Sequence, residues 1–303
     1  MRGPGSRRAR QARLGYALLA PTVLVIMAVA LYPLAATVWL SLHEHNLRLP
    51  RSPDSFVGLA NYAALLRATR FWEAFGRTLL FSLVSVSLEL ALGLALALLL
   101  HRPAARRGAL RATLLLPWTI PTVVAAVIWL FMVNPASGVL VHLLRLLGVS
   151  EEGTVLLADP LTAWAVIIAT DVWKTTPFVA LLLLAGLQTI PPDLYEAAAT
   201  DGARPWQQLT RITLPLLRPA IGVALVFRTL QAVKVFDHIF ALTGGGPGTA
   251  TETLVFLAYD AILRDLNLGY GSAASVVVFL ISLGFALMYT RFLLLARGAE
   301  EAA

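Results

Sequence analysis

The chain has 303 residues, 58% of them hydrophobic and 14% charged, with a formal net charge of +7 and no cysteine. A soluble domain carries about 25% charged residues and no apolar runs of membrane length, so this composition excludes one and places the chain in a bilayer. The lack of cysteine excludes a disulfide scaffold and a thiolate metal cluster. The basic residues lie in short segments beside apolar runs, which is how a membrane protein is oriented and not how nucleic acid is bound.

Residues 1–14 form a basic arm with Arg2, Arg7, Arg8, Arg10 and Arg13. The apolar stretch that follows, from about Gly15 to Leu42, is too long for the core of a signal peptide. It is expected to persist as the first of six membrane-spanning helices. The other five are expected near 78–100, 112–133, 161–187, 217–242 and 273–296. Each is long enough to cross roughly 30 Å of hydrocarbon at about 1.5 Å per residue. Arginines cluster after the second span (Arg102, Arg106, Arg107, Arg111), after the fourth (Arg204, Arg211, Arg218) and in the tail (Arg291, Arg297). The linker after the third span sets Arg145 against Glu151, Glu152 and Asp159. The positive-inside rule therefore places both termini and the arginine-rich loops in the cytoplasm. Segment 43–77 holds five arginines and runs against the rule. It is longer, carries Glu44, Asp54 and Glu73, and is put outside by an even number of spans. Pro21, Pro33, Pro117, Pro121 and Pro177 each free a backbone carbonyl inside a span. Bundle packing accounts for them; kinks that shape a gated pathway are the alternative.

The loop between the fourth and fifth spans, 191–219, reads as two short helices. Asp193 is expected to cap the first, with Glu196 three residues on completing a capping-box-like pair. Ala197, Ala198 and Ala199 favour helix and add little bulk. Gly202 is expected to end the helix with positive φ, and Pro205 to open a second one running towards Pro215 and Pro219.

Within this loop Glu196-Ala197-Ala198, Gly202, Ile212, Leu214 and Pro215 give the spacing E-A-A-x3-G-x9-I-x-L-P. It resembles the EAA cytoplasmic loop of permease subunits in binding-protein-dependent ABC importers, with no departure at the defining positions. Phe56-Val57-Gly58-Leu59-Ala60-Asn61-Tyr62, Val172–Phe178 and Val235–Pro247 resemble three further segments of carbohydrate permeases, most of all the first permease subunit of trehalose/maltose-type importers. The resemblance implies an all-α polytopic membrane protein with the six-span type I importer fold, in a bacterial cytoplasmic membrane. It implies as partners a second, similar permease, two copies of an ATPase, an extracytoplasmic sugar-binding protein and a sugar. Glu196, Ala197, Ala198, Asp201 and Gly202 would couple the chain to the ATPase, which carries the ATP and Mg; no cofactor is expected on this chain. Consistent with that division, no G-x-x-x-x-G-K-[ST] string occurs, and Gly244-Gly245-Gly246-Pro247-Gly248 lacks the lysine of a phosphate loop.

Charge inside a span costs about 2.5–3.5 kcal/mol, so it faces the bundle interior or a wet cavity. The residues concerned are Glu89, Asp171, Lys174, Arg228, Lys234 and Asp237, and the two lysines are the only ones in the chain. Mutual neutralisation is one expectation: Asp171 with Lys174 and Lys234 with Asp237, each three apart on a helix, and Glu89 with Arg228 between helices. The other is a solvated sugar path in which Asn134, Trp173, Thr175, Gln231 and Tyr270 join Lys174, Arg228 and Asp237, since amides, hydroxyls and aromatic faces suit sugars. Two rivals stay open. A glycerol-3-phosphate permease of the same family would set Lys174, Arg228 and Lys234 against a phosphate. An ion-coupled carrier would use Glu89 and Asp171 as a proton relay. An intramembrane enzyme finds no support: His43-Glu44-His45 lacks zinc-helix spacing and Gly271-Ser272 is no nucleophile elbow.

Overall fold

The structure, a computed structural model, describes residues 4–48, 55–101, 107–151 and 153–301. Arg2, Asp54, Arg102, Arg106 and Glu152, used above to orient the chain, lie outside the described residues. In chain order the elements are α1 (Pro4–Ile26), a π turn (Met27–Leu31), α2 (Tyr32–Ser41), β1 (His43–Glu44), β2 (Ser55–Phe56), α3 (Ala60–Arg67), α4 (Thr69–His101), α5 (Arg107–Thr119) and α6 (Thr122–Met132). Then follow α7 (Val139–Leu146), α8 (Pro160–Leu187), α9 (Asp193–Thr200), α10 (Pro205–Gln208), a second π turn (Leu209–Thr213), α11 (Leu214–Ala232), α12 (Asp237–Leu242), α13 (Leu254–Tyr259), a third π turn (Asp260–Arg264) and α14 (Leu268–Glu301).

Among the described residues the fold is all-α apart from the two-residue strands β1 and β2, which pair antiparallel. Five helical runs among the described residues are long and apolar enough to cross a membrane: Leu14–Ser41, Thr69–His101, Pro160–Leu187, Pro205–Ala232 and Leu268–Arg291. A sixth is completed by the pair Thr113–Thr119 and Thr122–Met132, bent by 108°. The expected third span is thus broken. Pro121, at φ −54° and ψ 140°, has no N–H to continue α5 and starts α6 instead. The expected fifth span is also shifted. It begins at Pro205, because the second π turn joins α10 to α11 in one run. It stops at Ala232, and residues 233–236 leave the helix before α12 resumes. Two of the π turns are followed, after one residue, by a proline: Tyr32 N–H reaches Met27 O before Pro33, and Leu214 N–H reaches Leu209 O before Pro215. A proline donates no bond and its ring crowds the carbonyl four residues back, which a wider turn relieves.

The chain divides into two compact units, one of residues 1–68 and 258–277, the other of 69–257 and 278–303. In the first unit Asn61 Nδ2 donates to both Ser41 O and His43 O at 2.9 Å, and the Tyr62 and Ser41 hydroxyls lie 2.7 Å apart. The segment Phe56–Tyr62 is therefore a clasp on carbonyls at the end of α2 and the start of β1. Leu47 N donates to Leu266 O (2.9 Å), tying the same hairpin to the turn before α14.

In the second unit α4 packs along α8, α11 lies against both, α5 and α6 pack on α8, and α12 on α6 and α8. Gly93 permits the α4–α8 approach: a Cβ there would sit 2.7 Å from Val179 Cγ1. Two apolar cores result. One gathers Phe81, Val86, Ile167, Val235, Ile239 and Phe256; the other Ala97, Val179, Leu183, Leu187 and Leu217. The buried charged residues Glu89 of α4, Asp171 and Lys174 of α8 and Arg228 of α11 fall between the two cores along their helices. The Gly244–Gly248 loop is pinned beyond the first core, where Arg77 Nη1 donates to Thr249 O (2.8 Å) and Trp164 Nε1 to Ala250 O (2.9 Å).

Candidate functional site

The charged layer is assembled from three spans. Arg228 of α11 is 2% exposed and forks onto Glu89 of α4, which is wholly buried. Nε donates to Glu89 Oε2, and Nη2 to Glu89 Oε1 at 2.6 Å. Nη2 also reaches Asp171 Oδ2 of α8 at 3.1 Å, and Nη1 donates to Gln231 Oε1 at 2.6 Å. The Ser85 hydroxyl donates to Asp171 Oδ2, and the Thr175 hydroxyl to Glu89 Oε1 at 2.7 Å. Two carboxylates and one guanidinium are thereby bonded in the bundle interior, as buried charge requires.

The Glu89–Arg228 pair expected from the sequence forms. The expected intrahelical pairs do not. Asp171 is taken by Arg228, and the Lys234–Asp237 spacing assumed a helix where residues 233–236 are broken. Lys174 is buried, at 8% exposure, and makes neither a hydrogen bond nor an ion pair among the described residues.

Beside this layer lies a cavity of about 420 Å³. Trp118 and Thr122 line it from either side of the α5–α6 break; Asp171, Lys174 and Thr175 line it from α8. Arg228 and Gln231 of α11 line it too, with Lys234 and Phe236 from the second break and Asp237 and His238 from α12. Both broken spans thus open onto the same space, the arrangement in which non-helical backbone is tolerated at membrane depth. Lys174 is 13 or more residues from each end of α8, about 20 Å at the helical rise, so the cavity lies deep in the bundle.

Of the path residues expected from the sequence, Lys174, Thr175, Arg228, Gln231 and Asp237 are brought together here. Three do not line the cavity. Asn134 is exposed, its Oδ1 accepting from Ala136 N (2.9 Å) and Ser137 N (3.2 Å) in a local turn. Trp173, 38% exposed, meets Trp129 edge-on at 6.1 Å. Tyr270 belongs to the first unit, where its N–H donates to Asn267 Oδ1 (3.1 Å). Sequence reasoning missed Trp118, Phe236 and His238. Their signals were the prolines flanking Trp118 and the adjacency of Phe236 and His238 to Asp237.

The loop 191–219 is exposed over most of α9, including Glu196, Ala197, Asp201 and Gly202. Asp193 does not cap it. Pro192 already has helical angles (φ −61°, ψ −29°) and no side-chain cap bond forms, so Asp193 and Glu196 occupy the first turn. There their charge suits the helix N-terminus without a capping box. Gly202 has φ +78°. Ala203 N donates to Ala198 O (2.9 Å) and Gly202 N to Ala199 O (3.0 Å), the paired bonds of a glycine-terminated helix. The Tyr195 hydroxyl lies 3.0 Å from Thr213 Oγ1, and its ring packs on the second core, so α9 is fixed to the root of α11.

Residues 89–295 match the family described as "Binding-protein-dependent transport system inner membrane component". The chain is 46% identical over 283 residues to the trehalose/maltose transport system permease protein MalF of Thermococcus litoralis, covering 93% of this chain and 94% of that one. It is 42% identical over 275 residues to the trehalose transport system permease protein SugA of Mycobacterium tuberculosis, covering 91% and 86%. Among solved structures, a bacterial ABC transporter involved in the import of the acidic polysaccharide alginate matches with a TM-score of 0.81 at 25% identity, covering 96% of this chain and 98% of that chain.

Proposed function

Because the chain belongs to the binding-protein-dependent transport system inner membrane component family, we propose that it is the permease half of an ATP-driven importer that passes a neutral disaccharide of the trehalose/maltose type through its cavity. A second permease would complete the channel, two ATPase copies would hold ATP and Mg, and an external binding protein would deliver the sugar. Both termini and the loop 191–219 would face the cytoplasm.

The observation that carries the sugar reading is the cavity itself. Its volume falls in the small-molecule range of about 300–1,000 Å³, and it sets two aromatic rings beside amide, hydroxyl, ammonium and carboxylate groups. Arg228, Lys174 and Lys234 are matched in charge by Glu89, Asp171 and Asp237, which suits a neutral solute better than a phosphate. Coupling to the ATPase is supported by what α9 exposes. Ala197 and Ala199 present little bulk beside the exposed Leu194 and Trp206, the latter 70% exposed, and exposed apolar groups in an aqueous loop favour a protein partner. Closure of the motor would press on α9 and reach α11 through Tyr195 and Thr213.

The test is uptake of labelled trehalose by the full complex in proteoliposomes, with cysteines placed at Ala197 or Ala199 for cross-linking. ATP-dependent uptake, and capture of the ATPase from those cysteines, is expected. Uptake driven by an ion gradient without ATP would overturn the reading.

A further inference from the structure

Resting on the reading of the cavity as a sugar site, we infer that the Lys174 ammonium selects the sugar by donating hydrogen bonds to its hydroxyl oxygens. Lys174 stands near the middle of α8 and lines the cavity, with 8% of its surface exposed. Its natural partner is Asp171, three residues earlier on the same face. One oxygen of that carboxylate is committed elsewhere: Oδ2 accepts from Arg228 Nη2 at 3.1 Å and from the Ser85 hydroxyl, while Oδ1 faces His238 Nδ1 at 3.9 Å. Glu89 is committed in the same way to Arg228 and Thr175. The triad therefore leaves Lys174 as a buried cation with no bonded partner among the described residues.

Burying such a charge costs several kcal/mol unless acceptors meet it. An ammonium has three donors and no acceptor, so what completes it must bring oxygen lone pairs. Asp237 lines the same cavity with the opposite ability, accepting only. A sugar hydroxyl accepts one bond and donates another, and so fits between two such groups. Trp118 and Phe236 line the same cavity and supply apolar ring surface beside a pyranose. A cationic solute would be repelled by the ammonium, and a solute without oxygen acceptors would leave Lys174 unmet.

The test compares the complete reconstituted importer carrying wild-type chain, Lys174→Met or Lys174→Gln. KM for uptake is measured with trehalose and with its 2-, 3-, 4- and 6-deoxy analogues. Lys174→Met should raise KM for trehalose roughly 10- to 100-fold, as loss of a charged hydrogen bond does. In that variant the penalty for one particular deoxy analogue should disappear, while Lys174→Gln, a neutral donor, should keep part of it. Identical analogue profiles in all three proteins overturn the inference. Trp118→Ala separates the two levels. If it raises KM while the Lys174 profiles stay identical, only the role of Lys174 falls; if it too leaves KM unchanged, the cavity reading falls. A wild-type importer inert to trehalose, maltose and sucrose sinks both.

Discussion

Arg228 holds two carboxylates from two other helices. Arg228→Met would leave Glu89 and Asp171 buried without their cation, at a cost on the order of 3–5 kcal/mol. The thermal midpoint of the purified complex should fall accordingly. Lys234→Met, at an exposed site on the second helix break, should shift stability by no more than about 0.5 kcal/mol. At this scale the sequence was half legible. A carboxylate and an arginine on different spans must find each other, and Glu89 and Arg228 did. The spacing of Asp171 and Lys174 gave reach but not competition: a planar guanidinium can serve two carboxylates at once and outbids a lysine one turn away. No spacing announces a competitor on another helix.

Among the elements, α4 and α9 each hinge on one glycine. Gly93→Leu would drive a side chain into Val179 and force α4 from α8, costing about 1–3 kcal/mol or more, read as reduced yield and midpoint of the assembled complex. Gly202→Ala meets nothing within 4 Å, so its cost comes from φ +78° alone, about 1 kcal/mol. Assembly should survive Gly202→Ala, while sugar moved per ATP hydrolysed should fall. The terminal glycine was visible in the sequence because only glycine adopts that angle freely. The false cap at Asp193 arose because Pro192 is itself compatible with the first helical turn. Hydropathy located the spans, yet it is blind to backbone direction. The break at Pro121 lies within a run that remains apolar, the break at residues 233–236 lies among charged residues, and both open onto the cavity.

For the whole molecule, the division of labour predicts that this chain alone, reconstituted without ATPase, moves no sugar under a proton or sodium gradient. Uptake by the isolated chain would revive the ion-coupled rival. The fold is also unevenly self-sufficient. None of the residues in the most apolar stretch of the first span, Leu14–Ser41, is buried by the rest of the chain, whereas two thirds of the corresponding stretch of Pro160–Leu187 is. Along that stretch, acyl chains or a neighbouring subunit would meet the exposed side chains. Exchanging Val23, Leu24 or Val25 for other aliphatics should pass unnoticed in melting curves. Val25→Arg should instead fail at the translocon, against a toll of about 2.5–3.5 kcal/mol, before any tertiary structure exists to be damaged.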